Sequence, residues 1–372
     1  MTTVSEEAVR EALSHVIDPE LNRAITDLDM VREVTIDGGH VSVAVDLTVA
    51  GCPLQHTIKA DVVKNVSALD GVDEVDVQMG VMSAEQRQAL TQKLQGAQRQ
   101  IPFTRPDSLT KVYAITSGKG GVGKSSITAN LAVAMAKRGL KVGVVDADIY
   151  GFSIPRMLGV TDEATVIDQM IVPPEAHGVK VISIGMFVPD GQAVVWRGPM
   201  LHRALQQFLA DVYWGDLDVL LLDLPPGTGD VAISIAQLLP NSGIIVVTTP
   251  QIAASEVAER AGSISSQTDQ HVVGVIENMS YLTQPDGSKL EIFGSGGGET
   301  VAARLTTALG YPVPLLAQVP IDVKLREGSD SGQPLAATDS DSEAVAAISA
   351  AVDQLEQQKR SLAGRNLGVK PV

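Results

Sequence analysis

The sequence predicts an α/β protein with a doubly wound, mostly parallel sheet, preceded by a small N-terminal α+β domain. Three observations support this fold class. In the larger, second part of the chain, short apolar and β-branched segments alternate with helical patterns. A glycine-rich loop separates one such segment from a helical one. Residues 1–80 contain 15 acidic and 5 basic side chains, a net charge of −10 out of −16 for the chain, which sets them apart.

Composition limits the partners to be expected. Of the 372 residues 44% are apolar but only 3% aromatic, so a surface of stacking rings for single-stranded nucleic acid is not expected. The acidic balance repels nucleic acid and anionic lipid. The chain opens with neither a basic nor an apolar stretch, so we predict a cytoplasmic protein without signal peptide or membrane span. A single cysteine, Cys52, excludes an intrachain disulfide.

The pattern along the chain predicts four segments. In the first, we expect a helix over 9–17, a strand over 41–47 and a helix over 54–69. The next segment has six glutamines and two prolines, and it reads as a short helix followed by a linker. The predicted segments are an acidic α+β domain (1–80), the helix and linker (81–111), the α/β domain (112–359) and a flexible tail (360–372).

The α/β domain is predicted from uncharged, β-rich runs that have the character of strands buried on both faces. Ligands of such sheets bind at the carboxyl ends of the strands, where the chemically distinctive residues of this chain fall. The expected strands are 112–116, 141–145, 219–222, 243–248 and 272–276.

The first of these strands leads into the sequence GKGGVGKS, which a helix over 125–138 follows. Glycines permit the tight turn that points backbone N–H groups at phosphates, and the helix N-terminus favours their charge. Lys124 would meet the β and γ phosphates, and the Ser125 hydroxyl would bind Mg²⁺. The predicted nucleotide-binding residues are Gly118, Lys119, Gly120, Gly121, Val122, Gly123, Lys124 and Ser125.

Carboxylates follow two further strands. Asp146 and Asp148 leave the sheet together, and Asp223 ends an apolar run. We expect Asp146 and Asp223 to hold Mg²⁺ through its shell and Asp148 to position the attacking water. The loop over 225–230, which contains two glycines and two prolines, has the composition of a switch that senses the γ-phosphate.

Lys119, Lys124, the three aspartates and the sequence DLPPGTGD (223–230) resemble the deviant phosphate-loop ATPases of the MinD and ParA class. More narrowly, several blocks resemble the Mrp/ApbC iron–sulfur cluster carriers, and the match extends over about 112–334. These blocks are DIYGFSIPRMLG (148–159), WRGPM (196–200), TTPQ (248–251), GVIENMS (274–280) and IFGSGGG (292–298).

The resemblance implies a Mg²⁺-dependent ATPase that works as a homodimer with nucleotide held at the interface. It makes Lys119, Lys124 and Asp148 the catalytic residues, with Lys119 reaching the partner's phosphates. It places adenine near Asn278 and the segment 319–322. It also implies that an iron–sulfur cluster is carried to apo iron–sulfur proteins in cooperation with the cluster assembly machinery.

The N-terminal segment resembles the small domain of SufT- and PaaD-type iron–sulfur assembly factors. Cys52 precedes its second helix, where backbone N–H groups favour a thiolate, and His56 follows one turn later. An inert, buried thiol is the alternative interpretation of this cysteine.

One departure from the carrier family bears on the cargo. The family has a Cys-x-x-Cys pair shortly after the Asn-Met-Ser block, and here Gln284 and Gly287 stand at those positions. A dimer therefore has only the two copies of Cys52 as thiolates, so a cluster would need other ligands or a partner's thiol. The histidines near Cys52 in sequence are His15, His40 and His56.

Several functions stay open at this stage. The best supported is an ATP-dependent iron–sulfur carrier, and the second is a nucleotide-switched scaffold that has lost the cluster. The acidic charge argues against a positioning ATPase on DNA or membrane. The lack of a His- or Cys-rich tract argues against a metallochaperone. The sequence also leaves ATP and GTP undecided.

Overall fold

The structure, a computed structural model, describes residues 4–21, 23–48, 54–95, 100–149, 151–187, 198–227, 229–251, 262, 265, 268, 270–338 and 341–358. These form two compact units. Among the described residues, unit 1 comprises 4–95, 165–172 and 211–213, and unit 2 comprises 100–164, 173–210 and 214–358. The segment boundaries predicted from the sequence stay a prediction.

The described elements are numbered here in chain order. The helices are α1 (Glu6–Leu13), α2 (Gln55–Val66), α3 (Ala84–Gln95), α4 (Lys124–Lys137), α5 (Ile154–Met157), α6 (Gly198–Ala210), α7 (Asp230–Leu238), α8 (Gly297–Leu309), α9 (Val323–Ser331) and α10 (Glu343–Gln357). The strands are β1 (Ile17–Asp18), β2 (Arg23–Ala24), β3 (Val31–Asp37), β4 (His40–Leu47), β5 (Glu74–Val81), β6 (Lys111–Ser117), β7 (Val142–Asp146), β8 (Thr165–Ile167), β9 (Met170–Val172), β10 (Glu175–Ala176), β11 (Val179–Ser183), β12 (Val219–Asp223), β13 (Gly243–Thr248), β14 (His271–Asn278), β15 (Leu282–Thr283), β16 (Lys289–Leu290) and β17 (Leu315–Val319).

Unit 1 begins with a capped amphipathic helix. The Ser5 hydroxyl accepts a hydrogen bond from the N–H of Ala8, and α1 buries Val9 and Leu13. The helix ends at Leu13, so the predicted helix over 9–17 was wrong in its second half. Ile17 instead pairs with Ala24 in β1–β2, because a β-branched residue just before Asp18-Pro19 favours extended backbone.

The sheet of unit 1 has the order β3-β4-β5 and is mixed. Strand β4 lies in the centre, antiparallel to β3 and parallel to β5. Its strands and α2, which buries Ile58, Val62 and Val66, enclose the hydrophobic core of the unit. The hairpin β8–β9 begins about 70 residues after the end of α3, yet it contributes further members to this core. These are Ile167, Met170 and Val172.

Unit 2 contains the large sheet, whose order among the described strands is β10-β11-β7-β12-β6-β13-β14-β17. All neighbouring pairs are parallel except β10–β11 at one edge. This order confirms the predicted fold class. Strands β7, β12 and β13 are buried at every residue, as their largely apolar sequences predict; Asp146 and Asp223 at the ends of β7 and β12 are their charged residues. The five predicted strands differ from β6, β7, β12, β13 and β14 by at most two residues at an end, whereas β10, β11 and β17 were not predicted.

The C-terminal helix α10 closes the core of unit 2. The Ser342 hydroxyl accepts from the N–H of Ala344 at its N-terminus, and the helix buries Ile348, Val352 and Leu355. In the part of the chain that the structure describes, no helix combines the length and apolar character that crossing a bilayer requires. The predicted tail, 360–372, lies outside the described residues.

Candidate nucleotide site

The glycine loop runs from the end of β6 to the start of α4, as predicted. Gly121 and Gly123 have φ values of 77° and 80°, a left-handed backbone conformation that side chains other than glycine rarely adopt. Gly123 is also the N-cap of α4, and no side chain caps it. The first N–H groups of the helix therefore face the loop, which is the arrangement that binds phosphate.

Lys124 is the first residue of α4 and is 6% exposed. Its Nζ lies 2.7 Å from Oδ2 of Asp223 and 3.7 Å from Oδ2 of Asp148. The structure thus brings together the loop lysine and two of the three predicted aspartates, which leave two different strands. Pairing with carboxylates offsets the cost of burying the ammonium charge.

Asp223 is fully buried at the end of β12 and contacts the first turn of α4 through both of its carboxylate oxygens. Its Oδ2 accepts from the Ser125 hydroxyl at 2.6 Å. Its Oδ1 lies 2.8 Å from the Thr128 hydroxyl, which is also 2.9 Å from the carbonyl oxygen of Lys124. Asp223 therefore fixes the first turn of α4 relative to β12.

Asp146 ends β7 and is the register partner of Asp223 on the neighbouring strand. It is fully buried and accepts from the backbone N–H groups of Asp148 and Ile154 at 3.2 and 3.1 Å. The Ser183 hydroxyl donates to it at 3.3 Å. Burial, followed by the nearby charge of Asp223, raises the pKa of Asp146 to about 7.

These side chains suit Mg²⁺. The cation prefers oxygen ligands and keeps several waters, and the Ser125 hydroxyl with the Asp223 and Asp146 carboxylates is an all-oxygen donor set. The Ser125 oxygen and Asp223 already lie 2.6 Å apart, so both face the same point at the end of the sheet. A bound cation would also favour the ionised form of Asp146.

Asn278, the last residue of β14, lies against the glycine loop. Its side chain is 3% exposed, and its Nδ2 donates to the carbonyl oxygen of Val122 at 2.9 Å. A Cβ at Gly123 would lie 2.3 Å from this nitrogen, so Asn278 can take this position only because residue 123 is a glycine. The contact braces the loop, and the adenine role of Asn278 stays a prediction.

Lys119, which precedes Lys124 in the loop, has a hydrogen-bond partner in the same chain. Lys119 Nζ donates to Oε1 of Gln251, which follows β13. The switch segment lies nearby: the N–H of Gly227 donates to the carbonyl oxygen of Ser117 at 2.9 Å. A Cβ at Gly120 would lie 4.0 Å from Pro226, so the switch segment touches the loop.

The iron–sulfur ligands predicted from the sequence stay a prediction. Cys52 lies outside the described residues. Among those described, no three His, Cys, Asp or Glu side chains form a group that could hold a metal ion. Gln284 and Gly287 stand in the turn between β15 and β16. There the N–H of Gly287 donates to the Gln284 carbonyl, and the Gln284 amide donates to the Ser288 hydroxyl, both at 2.9 Å.

Sequence reasoning missed three residues of the site. Thr128 lies one helical turn after Lys124, and this i, i+4 spacing was a usable signal. Gln251 was noted within a family block without a role. Ser183 gave no local signal, because only the pairing of β11 with β7 brings it to Asp146.

A comparison with protein families decides the classification. Residues 108–356 match the family model described as ParA, "NUBPL iron-transfer P-loop NTPase". The chain belongs to this family. Residues 6–77 match a second model, "Iron-sulfur cluster assembly protein". Both resemblances inferred from the sequence are thereby confirmed, and the family is one of nucleotide hydrolases.

Relatives match the chain over nearly its whole length. A Mycobacterium tuberculosis protein named "Iron-sulfur cluster carrier protein" is 58% identical over 98% of this chain and 96% of its own. A Synechocystis protein of the same name is 39% identical over 95% of this chain and 97% of its own. Among solved structures, a nucleotide-binding protein from Archaeoglobus fulgidus in complex with ADP is 35% identical. It covers 62% of this chain and 92% of its own, with a TM-score of 0.51.

Proposed function

We propose that this protein is a Mg²⁺-dependent, dimeric ATPase that carries iron–sulfur clusters and transfers them to apo iron–sulfur proteins in the cytoplasm. The observation that carries the ATPase part is the convergence of Lys124, Ser125 and Asp146 on Asp223 at the carboxyl end of the sheet. The carrier part is supported by the names of relatives up to 58% identical over nearly the full chain.

Nucleotide binding follows from the charges of the site. The β and γ phosphates of ATP would bind at the N-terminus of α4, and Lys124 would pair with them instead of with Asp223. This exchange replaces the ion pair between Lys124 and Asp223 by one between Lys124 and phosphate, so breaking the first pair costs little net free energy. Asn278 and Gly123 hold the loop in the conformation that receives the phosphates.

Hydrolysis is phosphoryl transfer to water. Mg²⁺, when bound with the nucleotide, would neutralise developing charge on the phosphate oxygens. Lys124 would stabilise the same charge from the loop side. Asp148 lies 3.7 Å from Lys124 and is 9% exposed, so its carboxylate faces the phosphate end of the site and can orient a water there.

The dimer supplies Lys119 in this proposal. Lys119 leaves Gln251 and reaches the phosphates bound by a second copy of the chain, so hydrolysis depends on association. Change in the switch segment on hydrolysis then alters the dimer and with it the loading or release of the cluster. The cluster is cargo, held by the Cys52 thiolates together with other ligands or a partner's thiol.

A second function is favoured by one observation. The turn where the carrier family has its cysteine pair is here closed by its own hydrogen bonds, at Gln284, Gly287 and Ser288. Asp286 adds two more, accepting from the N–H and hydroxyl of Ser288 at 2.9 and 2.6 Å. A turn that is closed by hydrogen bonds of residues without a thiolate suits a nucleotide-switched scaffold.

Anaerobic reconstitution with iron and sulfide distinguishes the two functions. The measurements are iron per dimer, the visible spectrum, and transfer to an apo-ferredoxin, for the intact protein and for Cys52→Ala. A cluster in the intact protein that is lost in Cys52→Ala and passes to the ferredoxin supports the carrier. ATPase activity without a cluster in either protein contradicts it and supports the scaffold.

A further inference from the structure

The segment after β16 contains a further glycine-rich stretch, residues 294–298, to which the ATPase chemistry assigns no role. It is called the 294–298 loop here. It ends in the first two residues of α8, Gly297 and Gly298, both buried. A Cβ at Gly298 would lie 2.7 Å from Cβ of Glu277, a residue that is 1% exposed at the end of β14. Such a contact requires a shift of the surrounding atoms.

Glu277 fixes the start of α8. Its Oε2 accepts from the N–H of Gly298 at 2.5 Å, and its Oε1 accepts from the amide of Gln318 on β17 at 3.0 Å. A carboxylate at a helix N-terminus satisfies orphan N–H groups and interacts favourably with the helix dipole. The first turn of α8 is therefore tied to two neighbouring strands of the sheet.

Gly297, held in this way, lies against the backbone that leads to Gln251. A Cβ at Gly297 would lie 2.6 Å from the carbonyl oxygen of Thr249 and 2.7 Å from Cα of Pro250. The obstacle is backbone, which cannot rotate away as the end of a flexible side chain does. Only glycine at 297 lets residues 249–251 keep their position.

The next residue, Gln251, accepts the hydrogen bond from Lys119. We propose that Gly297 is a positioning residue for Lys119. The 294–298 loop holds residues 249–251, and Gln251 in turn holds Lys119 in a resting position within its own protomer. This inference rests on the proposed function, in which Lys119 acts on a second copy of the chain. These contacts link the segment that runs from the β15–β16 turn to Gly297 with the ATPase site.

The consequence concerns association. Lys119 must give up Gln251 before it reaches the partner's phosphates, so the hydrogen bond opposes formation of the active dimer. Gln251→Ala removes this restraint and should lower the protein concentration that gives half-maximal ATPase rate about two- to tenfold. Gln251→Glu replaces the amide by a carboxylate and should raise that concentration about two- to fivefold. Gln251 is exposed, so both variants are expected to fold.

Gly297→Ala should act through the same residues. The added methyl group displaces the Thr249 and Pro250 backbone, so this variant should resemble Gln251→Ala, and the double variant should equal either single one. Gly310→Ala is the matched control at the other end of α8. Gly310 has a φ of 75° and open space around its Cβ position, so it tests general strain in the helix without contacting residues 249–251.

The test is steady-state ATPase activity as a function of protein concentration for the wild type and these variants. Opposite shifts for Gln251→Ala and Gln251→Glu, with Gly297→Ala following the former and Gly310→Ala unchanged, support the inference. A concentration-dependent wild type with Gln251 variants that shift together, or with additive effects of Gln251→Ala and Gly297→Ala, overturns this inference alone. A wild-type rate independent of concentration overturns the dimer of the proposed function itself.

Discussion

The Nζ atom of Lys124 lies 2.7 Å from Oδ2 of Asp223, and the Ser125 hydroxyl donates to the same oxygen at 2.6 Å. A carboxylate thus occupies both the group predicted to bind phosphate and the group predicted to bind Mg²⁺. In the proposed function, nucleotide binding would replace these contacts of Asp223, and the two lysines of the loop should therefore differ sharply in the effect of their removal.

Lys124→Ala should abolish nucleotide binding, whereas Lys119→Ala should spare most binding and lose hydrolysis. Lys124 is buried beside the phosphate-binding turn, and Lys119 points to Gln251. Equilibrium binding of a fluorescent ATP analogue and phosphate release measure the two properties separately. Normal hydrolysis by Lys119→Ala would contradict the dimeric mechanism.

Thr128→Val should destabilise the protein by about 1–3 kcal/mol, because it takes a donor from the fully buried carboxylate of Asp223. Thr307→Val is the matched control, since that hydroxyl donates to the carbonyl of Ala303 on an exposed face of α8. It should stay within about 0.5 kcal/mol of the wild type. Urea unfolding measures both, and equal effects would show that Asp223 does not depend on Thr128.

Ile167→Ala should destabilise unit 1 by about 2–5 kcal/mol, because Ile167 is fully buried in its core. Val166, the preceding residue of β8, is 51% exposed, and Val166→Ala should have little effect. Hydrogen exchange of α2 amides measures this loss of protection. Unchanged exchange in Ile167→Ala would mean that the hairpin is not part of the unit's core.

Asp18 should make unit 1 less stable as the pH rises. Burial raises the pKa of Asp18, against the opposing effect of hydrogen bonds from the N–H groups of Leu21 and Glu20. The folded state therefore holds a proton that the unfolded state releases near pH ~3.9, and this stabilisation is lost as the pH rises from there through the folded pKa.

Asp18→Asn should remove this dependence, so that β4 amides of the variant gain protection relative to the wild type as the pH is raised above about 4. Hydrogen exchange, corrected for its intrinsic pH dependence, measures the difference. Asp286→Asn is a control in unit 2, where hydrogen bonds from Ser288 lower the pKa of Asp286, and it should leave the pH dependence of the β4 amides unchanged. A constant difference between Asp18→Asn and wild type across pH would contradict the prediction.

Replacing Gln284 and Gly287 together by cysteine should raise the iron bound after anaerobic reconstitution. The turn already brings the two residues together, with a 2.9 Å hydrogen bond from the Gly287 N–H to the Gln284 carbonyl. Gly287 has a φ of 83°, so Gly287→Cys alone should cost about 1–3 kcal/mol. The two single variants are the controls, and iron no higher in the pair than in either would contradict a dimeric cluster site at this turn.

The parts that the sequence predicted well depend on local chemistry. The strand ending in Asp223, the left-handed glycines of the loop and the start of α4, which lies one residue before the predicted one, each follow from a few adjacent residues. Their spacing relative to one another was predictable because parallel strands present their carboxyl ends at one edge.

The parts that escaped prediction depend on distant contacts. Nothing near Ile167 in the sequence indicates that it belongs to the core around α2 and β4. Gln251 lies in the family block TTPQ, but its role is visible only where the structure brings it to Lys119. The predicted end of α1 was wrong because Val16 and Ile17 continue an apolar pattern, while the pairing of Ile17 with Ala24 of β2 imposes extended backbone there.

The register partnership of Asp146 with Asp223 has an evolutionary consequence. The separation of the two carboxylates is determined by hydrogen bonds between β7 and β12, upstream of every loop that leaves this edge. Insertions or deletions in those loops can therefore accumulate without changing the distance between the two carboxylates. Members of the family can differ in the surfaces of these loops and still keep this pair of aspartates in register.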